Sequence, residues 1–408
     1  MRRGTNLPSI GMFNRSVVLD AVRRSDGGIS RVELATTTGL SPQTITNVTR
    51  RLLQDGLIRE AGKLVDGPGK PRLLLALEPR SRYAVGVHLD PSFITSVVTD
   101  LHGQVVADLR IPTPRRALPE LVLDRMIATL DDLMSSVTAN RERFLGIGIA
   151  APGPIDMEAG SVLNAPLLEG WKRVPLRDAL AEALRMPVGL EKDVTAAVTA
   201  HAWRGRPRAH DFAFLYYGTG LGAGLVIGGE VVGGSSANAG DLGHIQVSDR
   251  GPLCSCGHRG CIGDNASPAA MVRSAARAGI VQLPQSPLRH SDVDRAFTTL
   301  TRVAGAGDPA ARRIVDRVAG DLARAIVILA NLLDLESVVI GGPYWDRLEP
   351  LVIEQVEAKA NTDGANVLTH PLRVTSSDLG ADVAAVGAAT LVLHSVYSPR
   401  PAGLLIQA

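Results

Sequence analysis

Three cysteines within eight residues constrain the fold of this chain more than any other feature of its sequence. Cys254, Cys256 and Cys261 are the only cysteines present, and an odd number at such short spacing does not suit a framework of disulfide bonds. His244 lies ten residues before the first of them, so the four side chains supply a complete tetrahedral ligand set for zinc. Because such a closed site leaves no position for water, we expect a structural Zn²⁺ that holds the segment 244–263. The alternative is a group of buried, reduced cysteines without a metal.

The charge of the chain is unevenly distributed. Residues 1–80 hold 13 Lys and Arg against 7 Asp and Glu, a net charge of +6, although the whole chain of 408 residues carries only +2. A chain of this length is expected to fold as two or three domains, and the basic excess predicts a nucleic-acid-binding module at the front. No segment is apolar enough for a signal peptide or a membrane span, so we expect a cytoplasmic protein with no membrane partner.

The basic module is predicted to contain three short helices. Apolar residues recur at helical spacing between Phe13 and Val22, which predicts the first helix. Ser30-Arg31-Val32-Glu33 is a capping box that starts a second helix, and Gly39 ends it. Ser41-Pro42 then supplies an N-cap and a proline at the first position of a third helix. The short connection between the second and third helices is typical of a helix-turn-helix.

The third helix has a polar face that suits the major groove of DNA. Amide side chains can address adenine edges, and arginines reach guanine or phosphate. Two short strands at 57–59 and 72–75 follow, and the turn between them would form the wing of a winged helix-turn-helix. The candidate DNA-binding residues are Arg31, Ser41, Gln43, Thr44, Thr46, Asn47, Arg50, Arg51, Lys70 and Arg72. The alternative is a three-helix packing module whose charged face only meets water.

From residue 83 onwards, strand and helix patterns alternate in two similar blocks. The first block predicts strands at 83–88, 94–98, 105–107 and 145–149 and a helix at 118–137. The second block predicts strands at 212–216 and 223–227, separated by a glycine turn, and helices after Ser267. We therefore expect two α/β halves that face each other across a cleft.

Five motifs in this region resemble those of the ROK family, which comprises repressors, open reading frames and sugar kinases. They are Ala151–Pro154, Glu191–Ala197, Gly218–Gly224, Gly240–His244 and Cys254–Cys261. The resemblance implies an α/β fold with a two-lobed, actin- or hexokinase-like (ribonuclease H-like) domain, in which the histidine and cysteines are the family's zinc ligands. The N-terminal winged helix is typical of the repressor branch. The expected units are the winged helix at 1–80, lobe I at 81–200 with a C-terminal helix near 381–398, and lobe II at 201–380.

The resemblance also implies a sugar-binding cleft. In the sugar kinases of the family an aspartate acts as general base on the sugar hydroxyl, and Asp193 stands at that position. The implied ligand-binding residues are Pro152, Gly153, Asn164, Lys192, Asp193, Asp241 and His244. Lys192 replaces an expected asparagine and Gly263 an expected glutamate, changes that favour an anionic ligand such as a sugar phosphate or sugar acid. The alternative is that Lys192 simply pairs with Asp193 or Glu191.

The first hairpin turn departs from the phosphate-binding loop of the family. The matching stretch is His88–Ser92, where Asp90 would repel phosphate and Pro91 has no amide hydrogen to donate. We therefore expect a transcriptional regulator with no catalytic residue. An ATP-dependent sugar kinase with an accessory DNA-binding module is the alternative.

The two predicted domains suggest how such a regulator would work. As a hypothesis, a sugar, sugar phosphate or sugar acid enters between the lobes and shifts their closure. In a homodimer or homotetramer this would change the spacing of two winged helices, and so their fit to a palindromic double-stranded operator.

Overall fold

The computed structural model describes residues 7–64, 71–113, 118–138, 140–163, 172–204, 210–284 and 288–398. The helices in these ranges are α1 Leu7–Arg23, α2 Arg31–Thr38, α3 Pro42–Gln54, α4 Pro119–Val137, α5 Leu176–Leu184, α6 Asp193–Arg204, α7 Ile262–Ala266, α8 Pro268–Arg277, α9 His290–Gly305, α10 Pro309–Leu333, α11 Trp345–Thr362 and α12 Val383–Tyr397. The strands are β1 Ile29–Ser30, β2 Ile58–Leu64, β3 Arg72–Leu77, β4 Tyr83–Leu89, β5 Phe93–Asp100, β6 Val105–Pro112, β7 Phe144–Ala151, β8 Ile155–Asp156, β9 Ser161–Leu163, β10 Arg173–Val174, β11 Val188–Lys192, β12 Phe212–Tyr217, β13 Leu221–Ile227, β14 Glu230–Val231, β15 Ser337–Gly341 and β16 Arg373–Ser376. None of these helices is both long enough and apolar enough to cross a membrane.

The N-terminal unit consists of α1–α3 and a three-stranded sheet in the order β1-β3-β2. The predicted capping box is present, because the Ser30 hydroxyl accepts from the amide of Glu33 at 3.3 Å and the Glu33 carboxylate accepts from the amide of Ser30 at 2.8 Å. Gly39 ends α2 with φ at 69°, a left-handed conformation that glycine adopts without strain. Ser41 caps α3 by accepting from the amide of Thr44. The predicted helix-turn-helix is therefore confirmed.

Two features of this unit differ from the prediction. α1 starts at Leu7, six residues earlier than expected. Pro8 is tolerated in the first turn of a helix, and Gly11 weakens the apolar pattern there without ending the helix. The two-residue strand β1 was not predicted, because it exists only through its antiparallel pairing with β3.

The two predicted α/β halves are confirmed, and each is built on a five-stranded sheet of the same design. Lobe I contains the sheet β6-β5-β4-β7-β11, and lobe II contains the sheet β14-β13-β12-β15-β16. In each sheet three consecutive strands pair antiparallel, and two later strands are added in parallel. Each lobe has its own buried apolar core. Residues of α4 and α5 contribute to the core of lobe I, and residues of α8–α11 contribute to the core of lobe II.

α6 and α12 pack against each other between the two sheets. A Cβ on Gly387 of α12 would lie 2.0 Å from the carbonyl oxygen of Ala196 on α6. A Cβ on Gly148 of β7 would lie 1.8 Å from the carbonyl oxygen of Ala388. Atoms in protein interiors do not approach so closely, so only glycine fits at both positions. The two helices and β7 therefore form one close-packed seam between the lobes.

The N-terminal unit shares an apolar core with lobe I. Val18 and Leu19 of α1 belong to the same buried cluster as Leu101, Trp203 and Leu393. The winged helix is therefore packed directly against lobe I and the ends of α6 and α12.

Candidate functional sites

The polar face of α3 is presented to solvent, as the sequence predicts. Ile45 and Leu52 are fully buried and fix the orientation of the helix. The candidate residues Gln43, Thr46, Arg50 and Arg51 are exposed, and Thr44 and Asn47 are half-buried. An exposed row of amide, hydroxyl and guanidinium groups can contact base edges and phosphates.

Four candidates for DNA contact lie outside this row. Arg31 donates to the hydroxyl of Thr49 at 3.1 Å, and Thr49 is fully buried, so Arg31 links α2 to α3. The hydroxyl of Ser41 serves as the cap of α3. Arg72 is exposed at the first position of β3. Lys70 lies outside the described residues. Sequence reasoning missed Thr49, whose burial depends on how the helices pack.

The four predicted metal ligands come together in lobe II. One donor atom each from His244, Cys254, Cys256 and Cys261 can be chosen so that all lie within 4.8 Å of one another. The His244 Nδ1 atom lies 3.4 Å from the Cys254 sulfur, and the sulfurs of Cys256 and Cys261 lie 3.6 Å apart. Three thiolates and one imidazole at these separations fit a tetrahedral dication site.

A second imidazole lies beside this cluster, and sequence reasoning did not single it out. The Nδ1 atom of His258 lies 3.6 Å from the sulfur of Cys256. Hydrogen bonds from His258 lower the pKa of Cys256 to about 6, which favours the thiolate that binds metal. Burial raises the pKa of Cys261 to about 12, so this thiol would ionise near neutral pH only beside a bound cation.

A cavity of about 340 Å³ lies between the lobes. It is lined by five of the predicted ligand-binding residues, namely Pro152, Gly153, Lys192, Asp193 and Asp241. Its lining also includes Thr219, which lies in the Gly218–Gly224 motif, and Asn238, which lies in no motif; neither was predicted to bind ligand. His244 lies with the metal ligands instead, and Asn164 lies outside the described residues.

Asp193 is the first residue of α6. Its carboxylate accepts from the amide of Val194 at 2.8 Å. Desolvation raises the pKa of Asp193, and the nearby His88 acts in the opposite direction. The ring of His88 is buried and meets Tyr216 edge-on, with the ring centres 6.1 Å apart. This carboxyl group can accept a hydrogen bond from a polyol in the cavity.

Lys192 holds a loop of lobe II against lobe I. Its ammonium donates to the carbonyl oxygens of Asn238 and Ala239, each at 3.2 Å. The side chain of Asn238 in turn bonds the amide and the carbonyl of Ile155 at 2.8 and 2.9 Å. No ion pair joins Lys192 to Asp193 or Glu191 among the described residues, although burial raises the pKa of both carboxyl groups and the charge of Lys192 opposes that increase. Carbonyl groups of a loop distant in sequence satisfy the ammonium instead.

The turn between β4 and β5 is closed by its own aspartate. The carboxylate of Asp90 accepts from the amide of Ser92 at 2.8 Å and from the hydroxyl of Thr219 at 3.3 Å. A second cavity, of about 430 Å³, lies beside this turn. On its wall Arg347 forms an ion pair with Asp294 at 2.9 Å.

Gly263, which stands where a glutamate was expected, packs against the backbone of Gly243. The amide of Gly263 donates to the carbonyl of Gly243 at 3.0 Å. A Cβ on Gly263 would lie 3.0 Å from that oxygen. The metal-site segment and the loop that carries Asp241 are therefore joined directly.

Comparisons with known proteins agree with this two-part architecture. The model of the ROK family matches residues 84–395, and that of a winged helix-turn-helix DNA-binding domain matches residues 18–59. The chain is 27% identical to the N-acetylglucosamine repressor of Escherichia coli O157:H7 over 384 residues, which is 93% of this chain and 91% of the relative. It is 31% identical to a glucokinase of Halalkalibacterium halodurans, over 76% of this chain and 95% of that enzyme. A crystal structure of a ROK family transcriptional regulator, described as a homolog of the E. coli MLC protein, superposes with a TM-score of 0.76 at 26% identity, over 95% of this chain and 97% of that one.

Proposed function

The chain belongs to the ROK family, and we propose that it is a sugar-responsive transcriptional regulator, a repressor, without kinase activity. One observation carries this proposal: the likeness to a repressor extends over the winged helix and both lobes, whereas the likeness to a glucokinase covers 76% of the chain. The exposed face of α3 and the cleft between the lobes would supply the two binding sites that such a regulator needs.

The turn at Asp90 supports the absence of kinase activity. Phosphoryl transfer requires backbone amides that cradle phosphate groups. Here the amide of Ser92 already donates to Asp90, Pro91 has no amide hydrogen, and the carboxylate adds a negative charge where phosphate would bind. The first hairpin turn would therefore bind phosphate poorly, which argues against the sugar-kinase alternative.

We propose that the metal is a structural Zn²⁺ bound by His244, Cys254, Cys256 and Cys261. The zinc would neutralise thiolates and hold the segment that abuts the cleft at Gly243 and Gly263. We also propose that the chain acts as a homodimer or a homotetramer on a palindromic operator, because two winged helices can contact two half-sites one helical turn apart.

The test of this function combines DNA binding with sugar binding. We expect the purified full-length protein to retard a fragment of its own promoter in gel electrophoresis. N-acetylglucosamine, glucose, xylose or a phosphate ester of one of them should change the operator affinity by about 5- to 150-fold, the range of typical allosteric couplings. A coupled assay with ATP and the same neutral sugars should show no turnover. Failure to bind the promoter, together with nucleotide consumption when a hexose is added, would establish the kinase alternative.

Lys192 should determine whether the effector is neutral or anionic. We expect Lys192→Asn to weaken binding of a sugar phosphate or sugar acid about tenfold, because a charge-assisted hydrogen bond is replaced by a neutral one. Binding of the parent neutral sugar should weaken less, because it loses only the restraint that Lys192 places on the loop at Asn238 and Ala239. Isothermal titration calorimetry of both variants with both classes of ligand measures the difference. Tight binding of only a neutral sugar by the wild-type protein would contradict the anionic assignment.

A further inference from the structure

One helix joins the cleft to the DNA-binding unit. α6 begins at Asp193, which lines the cavity between the lobes, and ends at Arg204. Its 12 residues span about 18 Å at the rise of an α-helix. Trp203, in its last turn, belongs to the buried cluster shared with α1. A single element therefore reaches from the proposed effector site to the winged helix.

Arg23 makes the specific contact between α1 and α6. Its guanidinium carbon lies 4.1 Å from the centre of the Trp203 ring, and one of its N–H groups donates to the Trp203 carbonyl. Asp20 on the same helix holds the guanidinium in an ion pair at 2.5 Å. The Arg23 side chain is 8% exposed and Trp203 is 4% exposed. A buried cation with this set of partners cannot move relative to α6 without losing them.

The chemistry at the end of α6 explains why an arginine is used there. The last carbonyl groups of a helix lack partners within the helix and carry the negative end of its dipole. Arg23, from another domain, donates to the carbonyl of Trp203 in the last described turn of α6. The Trp203 ring is also closely packed against Gly103, where an added Cβ would lie 3.2 Å from the ring. The ring therefore has little freedom to turn away when α6 shifts.

α6 cannot absorb a displacement along its own length. All of its residues from Val194 to Ala200 are buried. Ala196 lies in the close contact with Gly387 of α12 described above. Interiors packed at this density transmit displacements because they do not compress. A shift imposed at Asp193 is therefore carried to Trp203.

We infer that α6, through the contact of Trp203 with Arg23, couples occupancy of the cleft to the position of the winged helix. This inference rests on the proposed function. A ligand that hydrogen-bonds Asp193 shifts α6, and Trp203 and Arg23 act as positioning residues that pass the shift to α1. Both lie in the interface between α1 and lobe I, away from the cavity lining and the exposed face of α3. Their substitution should therefore change the coupling between two binding events while leaving each separate affinity nearly unchanged.

The test compares two neighbouring arginines. Arg24 pairs with the same Asp20 at 2.7 Å, but its side chain is 46% exposed, so Arg24→Ala is a matched control for Arg23→Ala. Operator affinity of the full-length proteins is measured by fluorescence anisotropy, on a duplex selected from random sequences by the wild-type protein. Each titration is repeated with saturating N-acetylglucosamine, glucose, xylose or a phosphate ester of one of them. The quantity compared is the ratio of operator affinities without and with sugar. We expect Arg24→Ala to keep the wild-type ratio, and Trp203→Phe also, because it keeps a ring beneath Arg23. In Arg23→Ala the ratio should fall below about twofold.

Two results would overturn the inference and can be told apart from failure of the proposed function. The first is an Arg23→Ala protein that binds operator and sugar separately as the wild-type protein does and also keeps the wild-type ratio of operator affinities without and with sugar. The second comes from amide hydrogen exchange of the ligand-free proteins, which needs no effector. Arg23→Ala should speed exchange at residues 193–200, at the cleft end of α6, at least twofold relative to Arg24→Ala. Unchanged exchange at these residues would overturn the coupling role even if no sugar proved to be an effector. If no sugar changed the operator affinity of the wild-type protein, only the proposed sugar sensing would be refuted.

Discussion

Replacement of Cys261 by serine is expected to abolish zinc binding and to destabilise the protein by about 4 kcal/mol, in the range of the largest single-residue effects. Cys261 is fully buried, and the segment 244–263 has little regular structure besides isolated bridges such as the one between Leu253 and Arg259. The proposed metal would therefore add a strong restraint to a segment that is otherwise held by single backbone hydrogen bonds. The midpoint of thermal unfolding should fall by about 10 °C, as measured by calorimetry. Zinc content, measured by mass spectrometry, should fall from one ion per chain to none.

The control for this prediction is the second imidazole. His258→Ala should retain the metal and the wild-type unfolding midpoint, whereas His244→Ala should lose both. The opposite result would show that His258, not His244, is the fourth ligand. A Cys261→Ser protein with one zinc per chain and an unchanged midpoint would show that the cluster is a group of reduced cysteines without a structural metal.

The features that the sequence predicted well are those that depend on neighbouring residues. Helix caps are an example, since Ser30 and Ser41 each accept from an amide three residues ahead. The cysteine cluster is another, because three of its four ligands lie within eight residues. The two similar sheets could be predicted because the same order of strand patterns occurs twice in the chain.

The features that were missed depend on residues brought together from distant parts of the chain. Lys192 is held by carbonyls some 46 residues further along, and no local pattern could show that these would replace a carboxylate partner. Thr219 reaches Asp90 across the cleft, and Trp203 contacts Arg23 over 180 residues. Sequence reasoning could name the residues of the cleft from their motifs, but not the contacts that hold it closed.

Replacement of Gln43 by alanine is expected to weaken operator binding about tenfold or more and to relax the choice of one base pair. A bidentate contact from an amide side chain to a base is worth about 1–3 kcal/mol of discrimination, and Gln43 is exposed in the first turn of α3, the part of a recognition helix that meets base edges.

Arg51→Ala should instead weaken binding to all sequences alike and reduce the slope of log affinity against log salt by about 1, because a guanidinium that contacts phosphate carries no sequence information. Anisotropy titrations of the operator and of single-base variants at several salt concentrations measure both effects.

Gln54 provides the matched control, since it is the same residue type, is exposed, and ends the same helix 11 residues later. That separation is about 16 Å along the helix axis, too far for both ends of α3 to reach base edges in the same groove. Gln54→Ala should therefore bind the operator as the wild-type protein does. Equal losses for Gln43→Ala and Gln54→Ala would indicate a general effect on the stability of α3, which circular dichroism of each variant would reveal as a shared drop in unfolding midpoint. Wild-type affinity and specificity in Gln43→Ala, with α3 intact, would mean that α3 does not read the operator from its N-terminal end.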